Sequence, residues 1–467
     1  MTLLAQYESY IATPYPGCAC DIPAHAYQLS FESSTDWSSF YAEAPEILRY
    51  WQRVADKYNV RRFMKFRHQC TETRWDEETA KWHVKLLDLA SGQVVQDVED
   101  VLMTGKLMHS ADWDAAFDPK DKSVAVIEAG SSGIQIVPAL LPSVASMDHY
   151  VRGRRWISPS LASEFVKARN NGVDNNFSYT EEEMAAWTQD RESYISYRKS
   201  IETEFQGLCM AFYKDSPQQV AMRELFTEEM RRRLQGRPDL MAEMITDFAP
   251  LCKRLTPGPG YLEALVSPKV NVVRSKIASV DATGIIVADD GVHRSVDAIV
   301  CATGFRSFHG SFPVYGRGGR SMHAGAPRTL GPNSGLGAGN LVMAIDSATL
   351  YVARVLRKLA TENVKTIEPR ARHVDSFTRF CDEYHARTVY TDKCASWGAV
   401  IGVWPGSGFH LIKAFQGVRW EDFEIETVDG NDFGWFGNGL SAADRTRDPE
   451  GLSWYLNDTN FLHENQS

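Results

Sequence analysis

Ser123-Val124-Ala125-Val126-Ile127-Glu128-Ala129-Gly130-Ser131-Ser132-Gly133-Ile134-Gln135-Ile136-Val137-Pro138-Ala139-Leu140-Leu141 is the stretch on which the fold turns. Val124 to Ile127 form an unbroken apolar run, as expected of a strand covered on both faces, and the run ends in a cluster of small residues. From Ile134 to Leu141 the apolar positions continue in a helical pattern, so the stretch reads as strand, tight turn and helix. A second strand is expected near His149-Tyr150-Val151, which completes half of a doubly wound α/β nucleotide fold. Gly130, Ser131, Ser132 and Gly133 are candidate phosphate-binding residues, because small residues let backbone N–H groups reach an anion at the positive end of a helix. A lone G-x-x-G is weak evidence and a mere tight turn is the alternative; the strand before it and the helix after it make the nucleotide reading specific. Glu128 departs from the pattern. It stands at the first glycine of G-x-G-x-x-G, where a carboxylate faces a diphosphate and lacks the backbone freedom of glycine.

Beyond the second strand, Arg152, Arg154 and Arg155 replace the acidic residue that would bind a ribose 2′-hydroxyl. Guanidinium is a natural partner of phosphate, so Arg152 is a candidate ligand of a 2′-phosphate and the pattern favours NADP over NAD. A surface cluster of arginines is the alternative. Upstream, a helix is expected from Ala44-Pro45-Glu46 to about Tyr58 with Ile47, Tyr50, Trp51 and Val54 on one face. Short strands are expected at Trp82–Leu87 and Asp100–Met103. Downstream, the segment from Glu181 to Phe248 is rich in Glu, Arg, Met and Leu and reads as a helical insertion. Strands follow at Val270–Val273, Gly284–Val287 and Val296–Ala302, the last running into Thr303-Gly304-Phe305. Gly316 to Pro327 reads as a loop or a damaged join, and Met343 to Leu359 as an amphipathic helix before a Trp-rich end with Trp397, Trp404 and Trp420.

The chain has 467 residues, too many for one ordinary core, and its 43% hydrophobic and 11% aromatic content is ample for burial. A net charge of −10 gives no footprint for a nucleic-acid backbone, and Arg231-Arg232-Arg233 reads as a solvated helix face. Eight scattered cysteines make no disulfide framework, and Cys18-Ala19-Cys20 without a second pair is poor zinc geometry, so no metal is expected. With no basic leader and no apolar run long enough to span a bilayer, a cytoplasmic protein without a membrane span is expected.

Gly105, His109, Trp113 and Asp114, just before the Gly-rich turn, resemble the fingerprint of the type I Baeyer-Villiger monooxygenases, with Met103 where that fingerprint has Phe. Tyr15-Pro16-Gly17-Cys18-Ala19-Cys20-Asp21-Ile22-Pro23-Ala24-His25-Ala26-Tyr27, Asp247 to Thr256, Ala302-Thr303-Gly304-Phe305 and Trp404-Pro405-Gly406-Ser407 are similar to further segments of that family. The resemblance is to its fungal secondary-metabolite members of the hydroxyversicolorone type and runs from about Tyr15 to Gly439. It implies two dinucleotide-binding, Rossmann-like domains with a helical insertion, holding FAD and NADP. It further implies insertion of an oxygen atom from O2 next to a small-molecule ketone to give an ester or lactone. By the same resemblance Asp21 and Arg254 are catalytic, while Cys20, Tyr27, Gln135 and Lys253 touch cofactor. His109 and Trp113 couple domain movements. An arginine suits this chemistry because a fixed guanidinium stabilises developing negative charge.

The corresponding domains are 1–110 for a remnant of the FAD-binding domain, 111–310 for the NADP-binding domain with its insertion at about 160–250, and 311–467 for the return of the FAD domain and the C-terminal region. Fourteen residues precede Tyr15, fewer than the roughly thirty of a βαβ unit, so the first domain is expected to lack its N-terminal βαβ unit. Such a unit is expected in frame immediately upstream. Two other readings stand beside this one: a flavin-deficient descendant serving as a non-redox isomerase or a small-molecule binding protein, and a heteroatom-oxygenating flavoenzyme, against which Trp113-Asp114 argues.

Overall fold

The computed structural model describes residues 15–63, 68–76, 78, 81–88, 106–172, 176–281, 283–289, 291–304, 314–319, 340–394 and 403–453. Met103, Gly105, Phe305, Trp397, the expected strand at 100–103 and most of the Gly316–Pro327 stretch lie outside the described residues. The chain divides into two units, Met1–Thr349 with Asp375–Gln416, and Leu350–Val374 with Gly417–Ser467.

The first long helix is α1 (Ala44–Lys57), in which Ile47 and Tyr50 of the expected face are buried and Trp51 and Val54 are partly buried against the same cluster. An antiparallel pair follows, β1 (His68–Asp76) and β2 (Lys81–Asp88). Next come β3 (Lys106–His109), β4 (Ser123–Ile127), α2 (Ser131–Leu140), β5 (Ser146–Tyr150) and β6 (Ile157–Ser158). The helical insertion comprises α3 (Ser163–Arg169), α4 (Glu181–Gln189), α5 (Arg191–Gly207), α6 (Pro217–Arg233) and α7 (Pro238–Met244). Then β7 (Thr256–Pro257), α8 (Tyr261–Val266), β8 (Val270–Val273), β9 (Ile277–Val280), β10 (Gly284–Val287), β11 (His293–Ser295) and β12 (Ala298–Cys301) close the nucleotide-fold region.

Five strands form one parallel sheet in the order β3-β12-β4-β5-β8. Both faces of this sheet are covered, which is why its strands read as continuous apolar runs. Val124, Val126 and Val300 pack with Ile134, Val137, Leu140, Tyr261, Leu262 and Leu265, so α2 and α8 cover one face. Ala125, Tyr150, Val273 and Ile299 turn the other way, against Ile285 and Val287 of the antiparallel β9–β10–β11 sheet.

Local chemistry sets the insertion's helix starts. At α4 the Thr180 hydroxyl accepts from Glu183 N at 3.2 Å while the Glu183 carboxylate accepts from Thr180 N at 2.8 Å, a reciprocal cap. Ser216 accepts from Gln219 N at 3.1 Å, with Pro217 at the first position of α6. In the basic run at the end of α6, Arg231 and Arg232 are exposed as the sequence reading expects, while Arg233 departs from it. Arg233 has a side chain only 8% exposed, donating to Glu263 at 2.8 Å and to Gly258 O at 2.5 Å, so it fastens α6 to the start of α8 instead of facing water. The scattered cysteines also hold one pair: Cys252 and Cys394 are disulfide-bonded across a separation of 142 residues, which spacing alone does not reveal.

Two buried histidines sit in this unit. His149 bonds Val126 O through Nδ1 at 3.0 Å; since a carbonyl only accepts, Nδ1 carries the proton and Nε2 accepts from the Tyr261 hydroxyl at 2.9 Å. His25 lies among Tyr179, Trp187, Tyr194 and Tyr197, all edge-on at 5.2–5.5 Å. The Tyr194 hydroxyl donates to Ser34 O and so accepts from His25 Nδ1, at 3.0 Å. The buried His25 Nε2 has no hydrogen-bond partner among the described residues.

In the second unit a two-stranded antiparallel sheet, Val364–Pro369 with Phe423–Thr427, is closed by Arg370 Nε donating to Phe423 O at 3.0 Å. Lys358 lies over the Trp420 ring at 4.9 Å.

Burial holds the His25 imidazole down to about 3 and that of His149 to about 4, against about 6.5 in an unfolded chain. The unfolded state therefore takes up protons that the folded state refuses. Stability is full above about pH 6.5 and falls as the pH drops from there toward 4. Urea midpoints at a series of pH values should show this decline, and His25→Phe should flatten it by about one proton, ~1.4 kcal/mol per pH unit. An unchanged slope would remove His25 as a source.

A second expectation concerns Gly133. A Cβ there would lie 2.1 Å from Glu128 O, whereas one at Gly130 meets nothing nearer than Ala302 O at 3.8 Å. Gly133→Ala should cost about 1–3 kcal/mol in urea denaturation because α2 must move off the end of β4, and Gly130→Ala much less.

Candidate functional site

The start of α2 has the form of an anion cradle. Gly130 is the N-cap in extended conformation, no side-chain cap is present among the described residues, and the first backbone bond of the helix runs from Ile134 N to Gly130 O at 3.0 Å. The amides of Ser131, Ser132 and Gly133 therefore precede the helical ladder, at its positive end. Ala302 N donates to Ile127 O at 3.0 Å, extending β12 alongside β4 to the edge of the cradle. Strand order reverses between β4 and β12, with β5 and β8 on one side and β3 on the other, and such reversals leave the crevice where α/β sheets bind nucleotides. The absence of a Cβ at Gly130 and the uncapped amides fit a nucleotide diphosphate.

Glu128 sits immediately before this cradle with φ +77°, in the left-handed region that favours glycine. Its N–H donates to Tyr150 O at 2.9 Å, and its carboxylate accepts from Arg152, with Nε at 2.8 Å and Nη2 also bonded to the same oxygen. Thus the residue expected to disturb the phosphate site and the residue expected to bind the 2′-phosphate are paired with each other. Arg154 points elsewhere, toward Ile245 O at 3.4 Å. Arg155 is half-buried. Burial lowers its pKa, opposed by Tyr261 and Glu128. Sequence reasoning placed Arg155 behind Arg152; the apolar Trp156-Ile157 that follows it is the signal that it turns inward.

Lys253 and Arg254 diverge in opposite directions. Lys253 Nζ lies 5.1 Å from the Phe248 ring and 3.4 Å from Arg154 O. Burial and the Arg155 charge hold it below its ordinary value while Glu128 pulls it up. Arg254 Nη2 donates to both oxygens of Asp21, at 2.9 and 2.7 Å. The Arg254 side chain is 69% exposed and that of Asp21 12%, so a nearly buried carboxylate holds a guanidinium at the surface. The disulfide to Cys394 anchors the residue just before this pair.

The other candidates lie close along the chain or on α2. Gln135 is engaged at both ends by the Tyr15–Ala19 segment, accepting from Tyr15 Oη at 2.8 Å and donating to Ala19 O at 3.1 Å. Cys20 is buried, with its thiol pushed up by burial, and its N–H donates to Ala42 O at 3.0 Å. Tyr27 packs on the cluster formed by Trp37, Ile47 and Tyr50.

Of the fingerprint, His109 ends β3; its Nδ1 accepts from Ala111 N at 3.0 Å, and Ser110 N donates to Cys301 O at 2.9 Å. Trp113 meets Phe117 edge-on at 6.3 Å and packs on the main core, while Asp114 accepts from Lys106 and from Ala116 N at 2.9 Å. The fingerprint thus forms the turn leaving β3 at the same sheet edge as the end of β12.

Among the described residues the β4–α2 unit is the one strand, glycine turn and helix. The Asp21–Arg254 pair presents an exposed cation, a group chemically suited to a developing anion.

The chain matches no protein-family profile. It is 31% identical to an FAD-binding monooxygenase of Aspergillus terreus, over 96% of this chain and 87% of that protein. It is 30% identical to an FAD-binding monooxygenase of Emericella nidulans, over 94% and 80%. A Baeyer-Villiger monooxygenase of Streptomyces coelicolor is 29% identical over 88% and 84%. Among solved structures, closed cyclohexanone monooxygenase superposes with a TM-score of 0.73 at 20% identity, covering 90% of this chain and 92% of that one. An NADP-bound steroid monooxygenase superposes at 0.72 and 21%, covering 89% and 92%. The fold of the site is therefore that of these oxygenases, and the extent and level of the sequence match place this chain in the family of FAD-binding monooxygenases.

Proposed function

We propose that the protein is a Baeyer-Villiger-type monooxygenase that uses FAD and NADPH to insert one atom of O2 beside a ketone carbonyl, giving an ester or lactone, in polyketide or other secondary metabolism. The geometric observation that carries this reading is the run Lys253-Arg254. Lys253 reaches Arg154 O in the arginine segment after β5 and the next residue is held on Asp21, so a single short segment joins the expected nucleotide site to an exposed cation. We assign 111–310 to the NADP-binding domain with its insertion at about 160–250, and 1–110 with 311–467 to the FAD domain and C-terminal region. Among the described residues no helix is long and apolar enough to cross a membrane, which is in keeping with a cytoplasmic enzyme.

Bound FAD, reduced by NADPH, supplies the activation of O2 and the transfer of oxygen. The chain's own residues bind and stabilise. The uncapped amides of α2 hold the nucleotide diphosphate. Asp21 fixes Arg254 in place before the reaction, so the guanidinium need not reorganise as negative charge grows on the substrate oxygen. Lys in its place would keep the charge but lose the planar fork that lets one end rest on Asp21 while another faces substrate.

The test is turnover of the purified chain with FAD, NADPH, a cyclic or polyketide-like ketone and isotopically labelled O2. One labelled oxygen per lactone, with matching NADPH consumption, is expected. A folded chain that ignores FAD and leaves the ketone untouched would instead support a non-redox binding protein or isomerase. Within the active protein, Arg254→Ala should retain flavin and nucleotide yet lose lactone formation by about a hundred- to a thousandfold, with Arg254→Lys recovering little. Normal lactone yield from Arg254→Ala would end its assignment.

A further inference from the structure

Glu128 has no evident structural reason to be a glutamate. Its backbone φ of +77° is one that glycine adopts without strain. The contacts its backbone makes, N–H to Tyr150 O and carbonyl against Gly133, would be the same for any residue there. What is particular is the carboxylate, and the carboxylate is spent on Arg152. Arg152 follows the C-terminal end of β5, the place from which Rossmann-like domains read the 2′ position of the adenosine ribose. Two of its donors, Nε and Nη2, converge on the same Glu128 oxygen. A phosphate recognised by a guanidinium takes just such a pair of neighbouring donors. Glu128 therefore occupies one of the paired-donor edges of Arg152 on which a 2′-phosphate could seat.

We propose that Glu128 is a tethered competitor for the nucleotide 2′-phosphate, and hence a specificity-determining residue that levels the chain's preference between NADP and NAD. This inference rests on the nicotinamide-nucleotide reading of the β4–α2 turn. A nucleotide carrying a 2′-phosphate must either displace the Glu128 carboxylate from Arg152 or bind beside it, and both are unfavourable for a dianion. A nucleotide with a free 2′-hydroxyl leaves the pair intact and can donate to the carboxylate. The diphosphate contributes equally to both, because it rests on the backbone amides of Ser131 to Gly133. The Arg152 side chain is 66% exposed and that of Glu128 27%, so solvent screens the competition, and its effect is about tenfold rather than many orders.

Calorimetric titration of the full chain with NADP+ and NAD+, which differ only in the 2′-phosphate, tests this without reference to turnover. The unmodified chain should bind the two within a few-fold of each other. Glu128→Gln, which keeps the backbone conformation and removes the charge, should tighten NADP+ about tenfold and leave NAD+ within about twofold. Glu128→Gly should do the same while also relieving the backbone, and adding Arg152→Ala to Glu128→Gln should abolish the new preference. Equal tightening of both nucleotides by Glu128→Gln would mean that Glu128 repels the diphosphate, and no change in either would place it outside the site; each overturns the proposal, as does a strong NADP+ preference in the unmodified chain. If the folded chain and every folded variant bind neither nucleotide, the nicotinamide reading itself fails. Binding of NAD+ with an unaltered ratio sinks the competitor alone.

Discussion

Everything at the candidate site depends on how closely α2 sits on the end of β4. The Gly133 Cα lies so near Glu128 O that no side chain fits between them. That contact lets the helix begin directly above the sheet with three amides that no side chain caps among the described residues, which is the form of an anion cradle built from backbone alone. The parallel sheet in turn holds β4 between β12 and β5, and the two covered faces leave its C-terminal edge as the place where chain turns gather. The fingerprint turn after β3, Ala302 after β12 and Arg152 after β5 all emerge at that edge.

Charge then decides what the cradle can hold. Arg152 is paired with the Glu128 carboxylate, and the charge of that carboxylate also raises the pKa of Arg155 and Lys253 against the lowering effect of their burial, so the site carries its own internal anion. The long side chains stay in place by unequal means: Arg152 by an ion pair, Lys253 by the Phe248 ring and a carbonyl, Arg155 by burial. Farther along, the Asp21–Arg254 pair shows the opposite arrangement, a sheltered carboxylate presenting a solvent-facing guanidinium. A cation held this way is positioned but not neutralised by a full desolvated pair, which suits a group that must respond to charge appearing nearby.

Around the site the polar interior is closed by fixed tautomers. His149 links β4 to α8 through a carbonyl on one side and the Tyr261 hydroxyl on the other, so a neutral imidazole ties the sheet to one of the helices that cover it. His25 does similar work for the N-terminal segment within a ring of aromatics. Gln135 adds a third tie, fastening the Tyr15–Ala19 segment to α2 by both ends of its amide.

The sequence by itself determined the β4–α2 unit, the strands at Val270–Val273 and Gly284–Val287, the helical insertion and the family, because each rests on local periodicity, small-residue turns or a short motif. Element ends were less legible: α2 begins at Ser131 rather than near Ile134, since backbone hydrogen bonding recruits the small turn residues into its first turn. Motif resemblance named Asp21, Lys253 and Arg254, and position after the second strand named Arg152, but neither named their partners. That Arg152 meets Glu128, that Arg254 meets Asp21 from 233 positions away, that Arg233 turns inward and that Cys252 joins Cys394 were decided by tertiary structure alone. The physical reason is that a charge or a thiol carries no mark of its partner in the local pattern; the partner is chosen by which strand ends and loops the packed sheet brings within a few ångströms.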